Sequence, residues 1–117
     1  MLVTLRIFPL LLLFFFLSAG FALAHKINVF AYAEAGSVKV ESYFADGRPV
    51  KQSKVMVYDG SEKLLLEGKT DDAGLFSFAI SKVDDLKIVV REILGHRNEF
   101  ILKKTDIEAA LPAKGQN

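Results

Sequence analysis

The sequence contains no cysteine, and this absence excludes several classes of chemistry at once. Disulfide bonds, cysteine-ligated metal sites and thiol catalysis are all ruled out. Tryptophan is also absent, and the chain has only three prolines and two histidines. The two signs of charge are nearly balanced, with 15 basic and 14 acidic residues. A balance of this kind indicates neither nucleic-acid binding nor binding to an anionic membrane.

The apolar residues are concentrated in the first 24 positions. Residues 7–17 form an uncharged apolar run, and a short segment carrying Arg6 precedes it. Small residues follow and end in Ala-Leu-Ala at positions 22–24, which is a signal-peptidase pattern. We therefore predict a signal helix over residues 1–24, cleavage after Ala24, and a periplasmic or secreted domain. The alternative is an N-terminal membrane anchor, since the segment approaches the roughly 20 apolar residues of a spanning helix.

After the signal, short apolar stretches alternate with turn residues at close spacing, which is typical of a sandwich or barrel. Period-two alternation is clearest in residues 38–44, where one face is apolar and the other polar. The pattern predicts an all-β fold, a seven-stranded antiparallel β-sandwich over residues 25–103. The predicted strands cover residues 26–33, 38–44, 54–58, 63–69, 75–80, 86–92 and 98–102.

Two further structural predictions concern the C-terminal residues and the aromatic residues. Thr105 and Glu108 have the spacing of a capping box, so residues 104–117 are predicted to form a short helix followed by a tail. The phenylalanines of the predicted strands are assigned to the core, and the tyrosines to half-buried strand positions. These phenylalanines are Phe30, Phe44, Phe76, Phe78 and Phe100.

Patterns that carry catalysis are missing from the sequence. There is no Ser/His/Asp arrangement and no glycine-rich phosphate loop. The paired carboxylates Asp71-Asp72 and Asp84-Asp85 fall in predicted turns, where aspartate commonly binds its own backbone. We therefore expect that the protein is not an enzyme. An oxidative copper enzyme with an N-terminal histidine is disfavoured by the small size of the chain.

His25, the first histidine, is a candidate metal ligand because of the predicted cleavage. A cut after Ala24 makes His25 the mature N-terminus, which carries two nitrogen donors, the α-amine and the imidazole Nδ1. Together these nitrogens close a six-membered chelate ring on a divalent metal. Amine and imidazole nitrogens suit Ni²⁺, Co²⁺, Cu²⁺ and Zn²⁺. The cleavage site therefore predicts a metal ligand at His25.

The second histidine, His96, lies between the sixth and seventh predicted strands. If seven strands run alternately up and down, the first strand starts at the end where this connection turns. His25 and His96 would then share one end of the sandwich, as a candidate two-histidine metal site. Glu34, Glu92 and Glu99 are all candidates to complete it, and the spacing does not choose among them.

Three stretches of the mature chain resemble a known domain type. They are the turn and strand start at residues 46–50, the strand at residues 54–58, and Gly-Lys-Thr-Asp-Asp-Ala-Gly-Leu-Phe-Ser-Phe at residues 68–78. Together they resemble the carboxypeptidase-regulatory-like, transthyretin-like sandwich. This resemblance implies a transthyretin-like or immunoglobulin-like fold, and a fold of this kind does not specify a function.

A narrower resemblance covers most of residues 25–100. It is carried by residues 25–34 directly after the signal, Glu-Ser-Tyr-Phe-Ala-Asp-Gly at residues 41–47, and Gly-His-Arg at residues 95–97. These motifs are similar to the additional extracytoplasmic subunit of nickel/cobalt transport systems of the energy-coupling-factor type. The resemblance implies an exported accessory that captures Ni²⁺ or Co²⁺ for a membrane permease, with His25 and His96 at motif positions.

Two functions therefore follow as hypotheses from the sequence. The first is an accessory protein of nickel/cobalt uptake whose partner is a membrane permease. The second is a generic extracytoplasmic module that binds protein or carbohydrate through exposed strand edges. Neither hypothesis involves nucleic acid, and both expect membrane contact only through the signal segment or a partner.

Overall fold

A computed structural model describes residues 26–112 of the chain. The predicted signal segment, His25 and residues 113–117 lie outside this range. No helix within residues 26–112 has the length and apolar character needed to cross a membrane.

Seven strands form two antiparallel sheets, which confirms the predicted β-sandwich. One sheet has the strand order β1-β2-β5 and the other has the order β4-β3-β6-β7. Each strand begins and ends within one residue of its predicted bounds. The strands are β1 (Ile27–Glu34), β2 (Ser37–Phe44), β3 (Lys54–Tyr58), β4 (Leu64–Lys69), β5 (Leu75–Ala79), β6 (Leu86–Arg91) and β7 (Arg97–Leu102).

The core lies between the two sheets and is built mainly from β-branched residues. Such side chains are stiff at χ1 and pack well on a pleated surface, where alternate residues point to one face. In β2 the inward residues Val38 and Val40 are 0% and 1% exposed, and in β3 Val55 and Val57 are both fully buried. Other fully or nearly fully buried apolar residues are Ile27, Ala31, Val50, Leu86, Ile88, Val90, Leu102 and Ile107.

The predicted core position of Phe30 is wrong. Its side chain alternates with the inward-facing Val29 and Ala31, so it lies on the outer face of β1, where it is 44% exposed. Its ring packs edge-to-face against Phe100, with ring centroids 5.5 Å apart. The four other phenylalanines of the predicted set are partly buried and pack against the core, as predicted.

The C-terminal helix α1 covers Lys104–Ala109, and its start differs from the prediction. Lys103 is the N-cap residue and makes no side-chain capping hydrogen bond, so Thr105 lies inside the helix and the capping box is wrong. Instead, the Asp85 carboxylate accepts a hydrogen bond from the Lys104 N–H at 2.7 Å. A carboxylate from the loop before β6 thus satisfies a donor that the first helical turn leaves unpaired.

The two ends of the sandwich carry different connections. We call the end with α1, the β1–β2 turn, the β3–β4 turn and the β5–β6 loop the helix end. There the Gly36 N–H binds the Ala110 carbonyl oxygen, and the Ile80 N–H binds the Gly36 carbonyl oxygen, both at 2.9 Å. We call the opposite end, with the β6–β7 connection and the start of β1, the hairpin end.

Candidate functional site

The connection between β6 and β7 is a tight hairpin that places Glu92 opposite His96. The Glu92 N–H donates to the His96 carbonyl oxygen at 2.9 Å, and the Gly95 N–H donates to the Glu92 carbonyl oxygen at 2.9 Å. Three residues, 93–95, therefore form the loop. Gly95 has φ of 94°, a left-handed conformation that glycine adopts without steric cost and that three-residue hairpins use at this position.

The side chains of Glu92 and His96 are in direct contact. The Glu92 Oε1 atom lies 2.6 Å from His96 Nδ1 and also accepts the His96 backbone N–H at 3.0 Å. Glu92 is only 7% exposed, whereas the His96 side chain is 40% exposed. The carboxylate is thus buried beneath a histidine ring that reaches the surface.

The pKa of Glu92 is set by two opposing influences, burial of the carboxylate and the hydrogen bonds that it accepts. Burial taken alone raises the pKa of Glu92, because a low-dielectric environment penalises the charged form. Hydrogen bonds from the His96 ring and from the backbone N–H groups of His96 and Leu94 stabilise the charged form and outweigh burial. The pKa of Glu92 is therefore below its usual value, so this carboxylate is ionised at neutral pH.

The chain enters β1 beside this hairpin. The Asn98 side-chain amide donates a hydrogen bond to the Ile27 carbonyl oxygen at 3.0 Å. Asn98 is two residues after His96, and Ile27 is two residues after His25. The start of β1 and the β6–β7 hairpin therefore share one end of the sandwich, although the predicted ligand His25 itself lies outside the described residues.

The structure distinguishes among the three predicted carboxylates. Glu92 contacts His96. Glu34 pairs with Ser37 in the register of β1 and β2, so it lies at the helix end, away from His96. Glu99 points outward from β7 and is exposed. Within residues 26–112, no group of three or more His, Asp or Glu side chains is arranged to hold a metal ion.

The paired aspartates have structural roles in turns and loops. Asp71 Oδ1 accepts the backbone N–H groups of Ala73 and Leu75, both at 2.9 Å. Asp84 Oδ2 accepts the Gly60 N–H at 3.0 Å, and Asp85 holds the start of α1. Asp71 binds the backbone of its own turn, as predicted, whereas Asp84 and Asp85 lie in a loop and bind backbone N–H groups 24 and 19 positions away in sequence.

Two apolar residues at the tip of the hairpin project into solvent. Ile93 is 96% exposed and Leu94 is 69% exposed, the highest values among the large apolar side chains of residues 26–112. Both lie in or beside the connection predicted between the sixth and seventh strands, and neither has a role predicted from the sequence. Short turns usually carry polar residues, so an Ile-Leu pair directly before Gly-His is the sequence signal that marks this exposed apolar tip.

Aromatic side chains lie together on the outer face of the β1-β2-β5 sheet. Phe30 and Tyr32 are two positions apart on β1, so both rings lie on this face, with their centroids 6.0 Å apart. Tyr43 on β2 stands opposite Asn28 in the register and is 42% exposed, and Tyr32 is 37% exposed. This face therefore offers aromatic rings to solvent, a feature that the sequence interpretation did not anticipate.

Comparisons with known proteins give one relative and no functional assignment. The chain is 33% identical over 90 residues to an uncharacterized protein of Haemophilus influenzae. The aligned region covers 74% of this chain and 56% of that protein, so the chain spans little more than half the length of this relative. No protein-family model matches the chain, and no solved structure matches it.

Proposed function

We propose that this protein is an exported accessory of nickel/cobalt uptake that captures Ni²⁺ or Co²⁺ and passes it to a membrane permease. The observation that carries the proposal is the 2.6 Å contact between Glu92 Oε1 and His96 Nδ1, beside the start of β1. The resemblance of residues 25–34, 41–47 and 95–97 to the extracytoplasmic subunits of such transporters supports the same function.

The contact between Glu92 and His96 favours metal binding through one particular nitrogen. An ionised carboxylate accepts a hydrogen bond from Nδ1–H, so the neutral ring carries its lone pair on Nε2. Carboxylate–histidine pairs of this kind orient the ring and raise the basicity of the nitrogen that binds the metal. His96 is therefore the ligand in this proposal, and Glu92 is the residue that positions it.

The remaining donors come from His25 in this proposal. Two residues of extended chain reach about 7 Å, and Ile27 is held to Asn98 of the hairpin strand. Cleavage after Ala24 would add the α-amine and the imidazole Nδ1 of His25 to the His96 Nε2. The amine has a reference pKa of about 7.7–8.0 and must lose its proton to bind, so affinity rises with pH through this range.

The position of the hairpin suits transfer of the metal as well as capture. His96 closes the base of the three-residue loop with its side chain 40% exposed, and Leu94 of the loop is 69% exposed. A permease can therefore approach the metal without opening the core. A site with few protein ligands also leaves coordination positions for the incoming ligands of a partner.

Calorimetry with Ni²⁺ and Co²⁺ tests the proposal on the exported protein, after intact-mass measurement has established that it starts at His25. Replacing His25 or His96 with alanine should each weaken binding by at least about tenfold, because each change removes a nitrogen donor. An extra methionine before His25 should weaken binding too, because it displaces the chelating amine. Unchanged affinity for Ni²⁺ and Co²⁺ in the His25→Ala/His96→Ala double variant would contradict the proposed site.

A second candidate function, a module that binds carbohydrate or protein, is favoured by the aromatic outer face of the β1-β2-β5 sheet. Exposed rings such as Tyr32 and Tyr43 supply contact area with little loss of conformational entropy on binding. A glycan array and an affinity capture with the envelope fraction would test this function. The Tyr32→Ala/Tyr43→Ala variant should lose the captured ligand while His96→Ala keeps it, and the reverse result would contradict the module.

A further inference from the structure

Four basic residues form a continuous row across the outer face of the four-stranded sheet. Lys69 of β4 stands opposite Lys54 of β3, Lys54 stands opposite Arg91 of β6, and Arg91 stands opposite Arg97 of β7. All four side chains are exposed. Adjacent strands lie about 4.8 Å apart, so this basic row spans about 14 Å at the hairpin end.

The basic row is mostly uncompensated. Within residues 26–112, only Lys54 has a carboxylate partner, Glu67, with a separation of 3.7 Å. Like charges at directly opposite positions of antiparallel strands repel each other and destabilise the pair. Arg91 and Arg97 stand in that relation at the base of the hairpin. An anion bound between them would relieve the repulsion, so the row is suited to an anionic surface.

The apolar tip lies directly beyond the basic row. Ile93 and Leu94 follow Arg91 by two and three residues. At about 3.3 Å per residue, the tip extends roughly 7 Å past the arginines. This offset corresponds to the depth of roughly 5–10 Å at which interfacial proteins place apolar side chains below lipid headgroups. Charges at headgroup level and an apolar pair below them match the two layers of a bilayer surface.

The chain also enters β1 at this end. Lys26 and Ile27 begin β1 beside the hairpin, and the residues before them include the apolar run 7–17. If that run is retained as the anchor of the alternative prediction, it would hold the hairpin end, with the basic row and the tip, next to a bilayer.

We propose that the hairpin end binds the surface of an anionic bilayer, with Ile93 and Leu94 inserted among the lipids and the basic row on the headgroups. A nucleic acid would match the charge but would leave the apolar pair unexplained, whereas a bilayer accounts for both. The contact is direct, in contrast to the expectation that only the signal segment or a partner touches the membrane. It does not depend on metal binding.

Tryptophan fluorescence tests the contact, because the chain contains no tryptophan of its own. The Leu94→Trp variant, isolated as the cell processes it and free of metal, is mixed with vesicles of phosphatidylcholine and phosphatidylglycerol at 3:1. Its emission should shift to the blue as the ring enters the lipid. Leu64→Trp is the matched control, since Leu64 is exposed at the start of β4, at the helix end. Its emission should not shift.

Cosedimentation with the same vesicles separates the two parts of the contact. Ile93→Ser/Leu94→Ser should lower partitioning by roughly tenfold or more for each residue, because the apolar burial is lost. Arg91→Ser/Arg97→Ser should lower it by about fivefold per arginine. Lys63→Ser/Lys103→Ser removes two exposed charges at the helix end and should change nothing. High salt should weaken binding of the unchanged protein.

Two results would overturn the proposal. One is an equal fluorescence shift, or none, in Leu94→Trp and Leu64→Trp. The other is a shift of Leu94→Trp that appears only when an integral membrane protein is present in the vesicles, which would assign the tip to a protein partner. Because the assay contains no metal, a failure here is distinct from a failure of the metal-uptake function.

Discussion

At the helix end of the sandwich, Asp59 and Asp85 bind backbone N–H groups and a lysine, whereas at the hairpin end Glu92 binds a histidine ring that reaches the surface. Asp59 accepts Lys82 Nζ at 2.7 Å, and Asp85 accepts the first N–H of α1. Ile107 of α1 is fully buried, whereas Ile93 of the hairpin is 96% exposed.

The two ends therefore differ in what they expose: both use carboxylates to close turns, but only the hairpin end combines the basic row with the exposed Ile93 and Leu94. The helix end uses its polar groups to close turns and to hold α1 against the sheets. The hairpin end leaves apolar and basic groups exposed, which adds nothing to the stability of the isolated domain. Substitutions at the two ends should therefore affect different measurements.

The largest expected effect comes from a matched pair of isoleucines. Ile107→Ala should lower the free energy of unfolding by about 2–5 kcal/mol, because it leaves a cavity in the core. Ile93→Ala should change it by less than about 0.5 kcal/mol, because the side chain is already in water. Urea denaturation of both variants measures this difference. Equal losses of stability would remove the distinction between the ends.

The next effect concerns metal affinity at the hairpin end. Glu92→Gln should lower Ni²⁺ affinity by roughly 10–100-fold, because the ring of His96 loses its charged hydrogen-bond partner. Glu99→Gln is the matched control, since Glu99 is exposed on the outer face of the adjacent strand. Calorimetry on both variants decides whether Glu92 positions a ligand. Equal affinities would leave Glu92 with a structural role only.

A smaller effect follows from the shape of the hairpin. Gly95→Ala should destabilise the protein by about 1–2 kcal/mol, because φ of 94° is unfavourable for a residue with a Cβ atom. Gly95→Asn should cost less, since asparagine tolerates the left-handed region better. Thermal unfolding compares the two variants. Equal losses of stability in Gly95→Ala and Gly95→Asn would show that the left-handed conformation is not the reason for glycine at position 95.

The last effect depends on pH and belongs to the helix end. Hydrogen bonds from Lys82 and from backbone N–H groups lower the pKa of Asp59 from 3.8 to about 2. A lowered pKa contributes stability that is fully present above pH 3.8 and is lost as the pH falls toward 2. Asp59→Asn should therefore be less stable than the unchanged protein at neutral pH, and the difference should narrow between about pH 4 and pH 2.

Chemical denaturation across this pH range measures the change, and Asp72→Asn serves as the control. Asp72 is exposed and accepts one hydrogen bond, from the Gln52 side chain. A difference between Asp59→Asn and the unchanged protein that stays constant from pH 7 to pH 2 would contradict the role assigned to the Lys82 contact.

Local patterns in the sequence are enough to predict most of the fold. Alternation in residues 54–58 predicts β3 to the residue, since a half-buried strand needs one apolar face whatever its neighbours are. The helix start is different, because the group that binds the Lys104 N–H is Asp85, a residue 19 positions away in sequence. Phe30 is a similar case, because its exposure depends on which face of β1 the second sheet covers.

The candidate site shows the same limit more clearly. The sequence suggests His96 and three possible carboxylates, and only the hairpin geometry brings Glu92 to 2.6 Å from the ring. The composition does not indicate the basic row, because positive and negative charges are nearly balanced over the chain. Its four members come from four strands, and only the strand register places them side by side.

The three-residue loop also restricts how the gene can change. One residue inserted between Glu92 and His96 would make the loop four residues long, and a four-residue loop is built on a different turn from the one that uses Gly95. The contact between the side chains of Glu92 and His96 depends on the present turn. Evolution can therefore exchange the residues at positions 93 and 94 while it preserves the length of the loop.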